Sequence, residues 1–262
     1  MKTEVIIPAY NCRDTLNRTL CSLGAQTDND FSVHVIDDCS TEDFRDILNH
    51  HRGLNLRVSR NPVNLGCGMS RQAGIDATEA DYIAFLDSDD MLLPYAIETW
   101  KNAASAAPNV DMFHNNFLEQ IYRGGESTIL LHKNGFPWCH GKLYKVSFLR
   151  HWGIRNLPEV KYSDDNFFNS VCSELGVVGV IPTPLYLWAN NPKSITRSPK
   201  SKFNQHAVGD FVHAMRLSVQ FVKSKGVTRL KHINATIANI EQIIDSADDY
   251  AKNEFRLLLS EI

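Results

Sequence analysis

Four short strand-like segments, Glu4–Ala9, Phe31–Ile36, Leu56–Ser59 and Tyr82–Leu86, alternate with stretches of helical spacing, and this alternation constrains the fold of the chain more than any other feature. A βαβα order with short connections predicts a parallel, right-handed, doubly wound sheet with helices on its faces. The fourth run is almost wholly apolar, as expected of a strand buried on both faces. Its end is abrupt, because YIAFLDSDDMLLP passes from Leu86 straight into Asp87, Ser88, Asp89 and Asp90. In open sheets ligands gather at the carboxyl ends of the strands. Asp-Ser-Asp there offers hard oxygen ligands one residue apart, enough for a divalent cation that keeps waters or phosphate oxygens in its other positions. The competing reading is a plain turn, with Asp90 as N-cap of a helix through MLLPYAIETW.

Pro8 is expected to end the first strand by removing a donor, which leaves Tyr10 and Asn11 just past its tip. Leu16, Leu20 and Leu23 then have helical spacing from Asp14 to Ala25, with Asp14 or Thr15 as cap. The second run ends in Asp37, Asp38, Cys39 and Ser40, followed by a helix over Thr41–His50. The loop NPVNLGCGMSRQAG leads into a helix through Ala77. Its Gly66 and Gly68 match neither GxGxxG nor GxxxxGK[ST], so neither a dinucleotide fingerprint nor a P-loop is supported. Arg71, at the start of that helix, can offer a base or a diphosphate a fixed fork of donors. Alternatively it is a solvated arginine on the helix face.

An apolar content of 43% and a charged content of 22% describe an ordinary soluble globular protein, and 262 residues give ample material for a core. The net charge of -3 and a pI near 6.4 carry no general footprint of a nucleic-acid or anionic-lipid binder. The six cysteines have no CxxC spacing, so reduced thiols of a cytosol are expected rather than a zinc site or a redox motif. MKTEVIIPAYN has too short an apolar core for a signal peptide, and no run approaches the roughly 18 apolar residues of a membrane span. The expectation is a soluble cytoplasmic protein, with peripheral contact to the inner face of a membrane left open.

In order along the chain stand IIPAYN, VIDDCSTED, NLGCGMSRQAG, FLDSDD, GKLYKVSFL, YSDDNFF and SITRS. In this order and spacing, over roughly residues 3 to 198, they resemble the inverting glycosyltransferases of family 2. The resemblance implies the GT-A fold, an α/β, Rossmann-like and mostly parallel sheet flanked by helices. It implies a GT-A domain over 1–198, with a nucleotide-binding half to about 92 and an acceptor and catalytic half over 93–198, followed by a helical C-terminal extension over 199–262. It also implies a nucleotide-sugar donor, usually a UDP-sugar, and a divalent ion, Mn2+ or Mg2+, at the Asp-Ser-Asp.

Carried over position by position, the donor site would take in Pro8, Tyr10, Asn11, Asp38, Arg71, Asp87, Ser88 and Arg197. Tyr10 would stack on the base and Asp38 would accept its imide N–H. Asp87 would lie near the ribose or a metal-bound water, with Asp89 the main metal ligand, so that charge on the leaving diphosphate is neutralised. The base motif of the family appears as Asp164-Asp165, and Asp165 falls on the base position. Asp164 would raise the pKa of Asp165 by like-charge repulsion. Alternatively, the two acids merely cap a helix over Asn166–Leu175. Trp138 and His140 would pack on a sugar face, unless Trp138 is a core residue. Ser194–Arg197 resembles a late loop closing over the diphosphate, with Arg197, His206 or Lys193 as anion contacts.

Three positions depart from the family pattern. Cys39 stands where glycine is usual, so that a positive φ there would be strained or is not required. Gln72 replaces an asparagine, and Asp164 replaces a glutamate. Beyond residue 199, apolar positions at helical spacing predict two or three amphipathic helices, the first over Lys202–Lys223 and stopped by Gly226. Ile233, Ile237, Ile240 and Ile244 are core, a homodimer seam or an acceptor-side surface.

The expected activity is transfer of a sugar from a nucleoside diphosphate to an acceptor hydroxyl, in bacterial or phage glycan synthesis, on a glycan or lipid-linked acceptor. The alternatives are transfer to modified bases of phage DNA, a nucleotidyltransferase, and a silent nucleotide-binding module. Nucleic acid is not the expected partner given the acidic pI.

Overall fold

The computed structural model describes residues 1–123, 125–133, 138–160, 164–191 and 202–262. The expected parallel unit is present as β1 (Thr3–Ala9), β2 (Ser32–Asp37), β3 (Leu56–Arg60) and β4 (Tyr82–Phe85), with α1 (Arg13–Gly24), α2 (Arg45–His50) and α3 (Cys67–Ala77) between them. β1 pairs in parallel with both β2 and β4, and β2 with β3. All of β1 is buried, as its central place requires.

Pro8 does not end this strand, because it stays in register opposite Ile36, and Ala9 opposite Asp37. Alternate residues face opposite neighbours, and the carbonyl of Ile6 accepts from Leu86 on the β4 side while that of Ala9 accepts from Asp38 on the β2 side. Pro8 thus faces the β4 side, where pairing has stopped at Ile6 opposite Phe85. Its missing N–H costs no ladder bond.

The second half adds β5 (Met91–Leu92), α4 (Ala96–Ala106), β6 (Met112–Arg123), β7 (Glu126–His132), β8 (Lys142–Lys145), α5 (Val146–Trp152), α6 (Asp164–Leu175) and β9 (Val178–Trp188). The sheet has nine strands in the order β3-β2-β1-β4-β8-β6-β9-β5, with β7 hairpinned onto β6. β8 is antiparallel to both β4 and β6, whereas β6 and β9 run parallel. One face is covered by a core that holds Leu16, Leu20 and Leu23 of α1 and the fully buried Trp100 of α4. The indole N–H of Trp100 donates to Asn115 Oδ1 at 2.8 Å, so its burial leaves no polar cost.

The other face carries α5, α6 and three C-terminal helices, α7 (Lys202–Ser224), α8 (Lys231–Glu241) and α9 (Asp249–Glu261). Gly226, at φ 83°, follows α7 as expected of a helix stop. Ile233, Ile237, Ile240 and Ile244 lie in one core with Phe167 and Phe168 of α6. That corrects the seam alternative, because these side chains are covered by their own chain and offer nothing to a second copy. The start of α8 is held by Glu174 of α6, whose carboxylate accepts from the backbone N–H groups of Lys231, His232 and Ile233. A carboxylate on the free amides of a helix N-terminus satisfies both their hydrogen bonding and the dipole. Glu174→Ala is expected to cost about 2 kcal/mol, seen as a melting midpoint lower by roughly 5 °C.

Candidate active site

Beyond the tips of β1, β2 and β4 lies a cleft of about 890 Å3, a size suited to a nucleotide-sized ligand. Its walls include Pro8, Tyr10, Asn11, Asp38, Arg71, Asp87, Ser88, Asp89, Trp138, His140, Asp164 and Asp165. Twelve of the candidate site residues therefore meet in one place. Arg197, Lys193 and the side chain of His206 lie outside the described residues.

The acid loop after β4 is braced from two sides. From α1, Thr19 Oγ1 donates to the Ser88 carbonyl at 3.0 Å and Arg18 Nη2 to the Asp89 carbonyl at 2.6 Å. From the end of β9, Tyr186 Oη donates to Asp90 Oδ2 at 2.6 Å and the Ala189 N–H to Asp90 Oδ1 at 2.8 Å. Asp90 is therefore no N-cap. It is buried, α4 starts only at Ala96, and burial, with the charges of Asp89 and Asp87, pushes its pKa well up. Asn191 Nδ2 donates to Asp89 Oδ2 at 2.7 Å. Tyr186, Ala189 and Asn191 are contributors that the sequence did not reveal, because no spacing links them to an acid loop a hundred residues earlier.

Several side chains at the other strand tips hold their loops as well as line the cleft. Asn11, at φ 46°, accepts through Oδ1 from the Thr41 N–H at 2.9 Å. Asp38 Oδ1 accepts from Asn61 Nδ2 and from the Leu65 N–H, and Oδ2 from the Gly66 N–H. The conformation of a family glycine is retained at Cys39, whose φ is 62°. A left-handed non-glycine residue costs about 1–2 kcal/mol. Cys39→Gly is expected to raise the melting midpoint by roughly 1–3 °C, after the extra backbone entropy of glycine offsets part of the relief. Gln72 is not a cleft residue: its Oε1 accepts from the Asn156 N–H at 2.9 Å and its Nε2 donates to Asp76.

Arg71 is placed differently from the expected donor fork toward solvent or a nucleotide. It is buried, with Nη1 donating to Asp164 Oδ2 at 2.7 Å and Asp165 Oδ1 at 2.5 Å, and Nη2 to Asp87 Oδ1 at 2.8 Å. Both acids sit in the first turn of α6, which begins at Asp164 rather than Asn166. Burial lifts Asp164 to about 7 against the opposing pull of Arg71. Burial also works against an ionised Asp165, but Arg71 and the Cys139 N–H, which donates to Asp165 Oδ2 at 2.9 Å, outweigh it and lower the pKa. The repulsion expected to raise Asp165 thus falls on its neighbour. Asp165 is the ionised member of the pair, with 20% of its side chain exposed against 9% for Asp164.

The far wall is aromatic. Trp138 is 41% exposed, and its ring stacks on His140 with centroids 5.6 Å apart and planes 9° from parallel. His140 is buried beneath it, stacked also on Tyr186 and Trp188. Trp138 is thus a surface ring and His140 its support. Lys142, fully buried below, donates to the Trp138 carbonyl, and burial lowers its pKa to about 8. Among the described residues no three His, Cys, Asp or Glu side chains are arranged to hold a metal ion. Asp87 and Asp89 offer two half-exposed carboxylates on the loop after β4.

A family match, glycosyl transferase family 2, covers residues 4–152. The poly(ribitol-phosphate) beta-N-acetylglucosaminyltransferase TarS of Staphylococcus aureus is 30% identical over 187 residues, which cover 64% of this chain and 32% of that protein. The chain thus spans about a third of the length of this curated relative. The crystal structure of S. aureus TarS 1-349 in complex with UDP-GlcNAc superposes with a TM-score of 0.70 at 22% identity, covering 100% of this chain and 71% of the other. A mannosyltransferase from Pyrobaculum calidifontis, in complex with GDP-Man and Mn2+, gives 0.61 at 16% identity, covering 99% of this chain and 73% of the other. The architecture is the GT-A fold that the motifs implied.

Proposed function

Since the chain belongs to glycosyl transferase family 2, we propose that it transfers a sugar from a UDP-sugar to an acceptor hydroxyl with inversion, in the synthesis of a glycan or polyol-phosphate polymer. The observation that carries this is the convergence of Tyr10, Asp38, Asp87, Asp89 and Asp165 on one cleft from four separate strand and helix ends. Tyr10, 49% exposed on the cleft wall, offers a ring for the base. A carboxylate has about four acceptor positions, and three of those on Asp38 hold its own loop. The remaining one, on Oδ2, suits the single imide N–H of uracil.

Asp87 and Asp89 fit as a half-site for Mn2+ or Mg2+. Each commits one oxygen to a described partner, Arg71 and Asn191 respectively, and the other oxygen of each would hold the cation. Such a cation would supply Lewis-acid neutralisation of the departing diphosphate. Asp165, ionised and held by Arg71 and the Cys139 N–H, takes the proton of the acceptor hydroxyl, and attack on the face opposite the diphosphate inverts the anomeric centre. Trp138 lies across the cleft as a platform for a sugar ring. TarS, by its name, acts on poly(ribitol phosphate), and a polyol-phosphate chain is accordingly the first acceptor to try.

The test is product analysis by NMR after incubation with UDP-GlcNAc or UDP-glucose, Mn2+ and poly(ribitol phosphate). The expected result is UDP released in step with a β-linked product. Release of pyrophosphate from a nucleoside triphosphate, or an α-linked product, would contradict it.

A further inference from the structure

Gly68 and Arg71 are three residues apart in α3 and so share one face of the helix. A Cβ on Gly68 would lie 2.8 Å from Asp164 Cβ and 2.9 Å from its Oδ2, so only glycine lets α6 start this close to α3. One turn further, the Arg71 guanidinium bridges Asp164 and Asp165 on one nitrogen and Asp87 on the other. Its carbon sits 5.7 Å from the centroid of the Phe85 ring, the last residue of β4. A planar fork with fixed donor directions sets the separation of the groups it joins, which a single ammonium does not do. The two glycines that failed as a phosphate loop therefore have other tasks. Gly66, at φ 88°, donates its N–H to Asp38, and Gly68 seats the acids of α6.

We propose that Arg71, seated through Gly68, is a positioning residue for the transfer reaction. It holds the base Asp165 at a fixed distance from the donor-side Asp87 and does not bind the nucleotide itself. This rests on the glycosyl-transfer reading. The relative placement of acceptor hydroxyl and donor is then built into the protein before either substrate arrives, and the cost of a loosened bridge appears in turnover rather than in donor affinity.

The experiment compares wild type, Arg71→Ala and Gly68→Ala for kcat, for KM of the UDP-sugar and for the affinity of UDP by calorimetry. Both variants are expected to lose about tenfold in kcat, with UDP affinity unchanged. Added guanidinium chloride, but not sodium chloride, should restore part of the Arg71→Ala turnover. Gly68→Ala guards against misfolding, because it keeps the buried guanidinium and its three carboxylates, favours the helix of α3 and pushes the first turn of α6 away from it. Weakened UDP affinity with kcat preserved at saturation would make Arg71 a nucleotide ligand and overturn the proposal, as would unchanged kcat in both variants. A wild-type protein that turns over no UDP-sugar overturns the glycosyl-transfer reading together with this one, whereas the other contrary outcomes leave that reading standing.

Discussion

Asp165→Asn is expected to lower turnover of the UDP-sugar by about 100-fold or more, the scale of a lost general base, while UDP affinity holds. The amide keeps the shape of the side chain, and its one oxygen can still accept from Arg71 or from the Cys139 N–H but not from both, since these donors reach different oxygens of the acid. What it loses is the capacity to take a proton. Asp165 is the more exposed acid, its pKa lowered by Arg71 and the Cys139 N–H, whereas Asp164 is deeper and pushed up to about 7 by burial. Steady-state kinetics with UDP calorimetry decides the point, since near wild-type turnover in the variant would take Asp165 out of the mechanism.

The second large effect is expected at Asp89. Asp89→Ala should abolish the gain in UDP affinity that Mn2+ brings and lower turnover by roughly 100-fold to 1,000-fold, the scale of a lost electrostatic contact to the leaving group. Its backbone carbonyl would still be held by Arg18, so the loop keeps its path. Asp90→Ala is the useful contrast, because Asp90 is buried against Tyr186 and Ala189 and does not line the cleft. That change should lower the melting midpoint without erasing the response to metal. Titrations of Asp89→Ala with UDP that still tighten on adding Mn2+ would remove Asp89 as a ligand.

The N-terminal half was legible because β1, β2 and β4 are short, largely apolar runs with polar tips, and each of those tips is a local motif. IIPAYN, VIDDCS and FLDSDD each place their functional residues within four positions of a strand end, so spacing alone brings them to one edge of a parallel sheet. Asp164 and Asp165 were also legible as a pair, but their charge states were not. Those depend on Arg71, whose reach to three carboxylates cannot be seen in the helix that carries it. The expectation for Asp90 failed for a related reason, since its partners Tyr186, in β9, and Ala189, just past its end, are brought to it by the antiparallel β5–β9 pairing. β6 escaped notice because its apolar residues mix with His114, Asn115, Asn116, Glu119 and Gln120, and its pairing with β8 and β9 rather than its own pattern fixes it.

The C-terminal helices were readable as amphipathic, yet only packing against α6 shows that their isoleucines are core. The glycine departure at Cys39 shows the opposite case, a backbone requirement that survives a change of residue, with φ still at 62°.

The most direct measurement of the central claim is the shift in melting temperature on adding UDP, GDP, CDP or TDP and their sugars, each with and without Mn2+. A site filled at 100 times its dissociation constant adds about 2.7 kcal/mol of stability, well above the resolution of such a scan. The expected result is a metal-dependent rise with UDP and UDP-sugars that Asp89→Ala removes. No rise with any nucleotide, with or without metal, would contradict the assignment of this cleft as a nucleotide-sugar site.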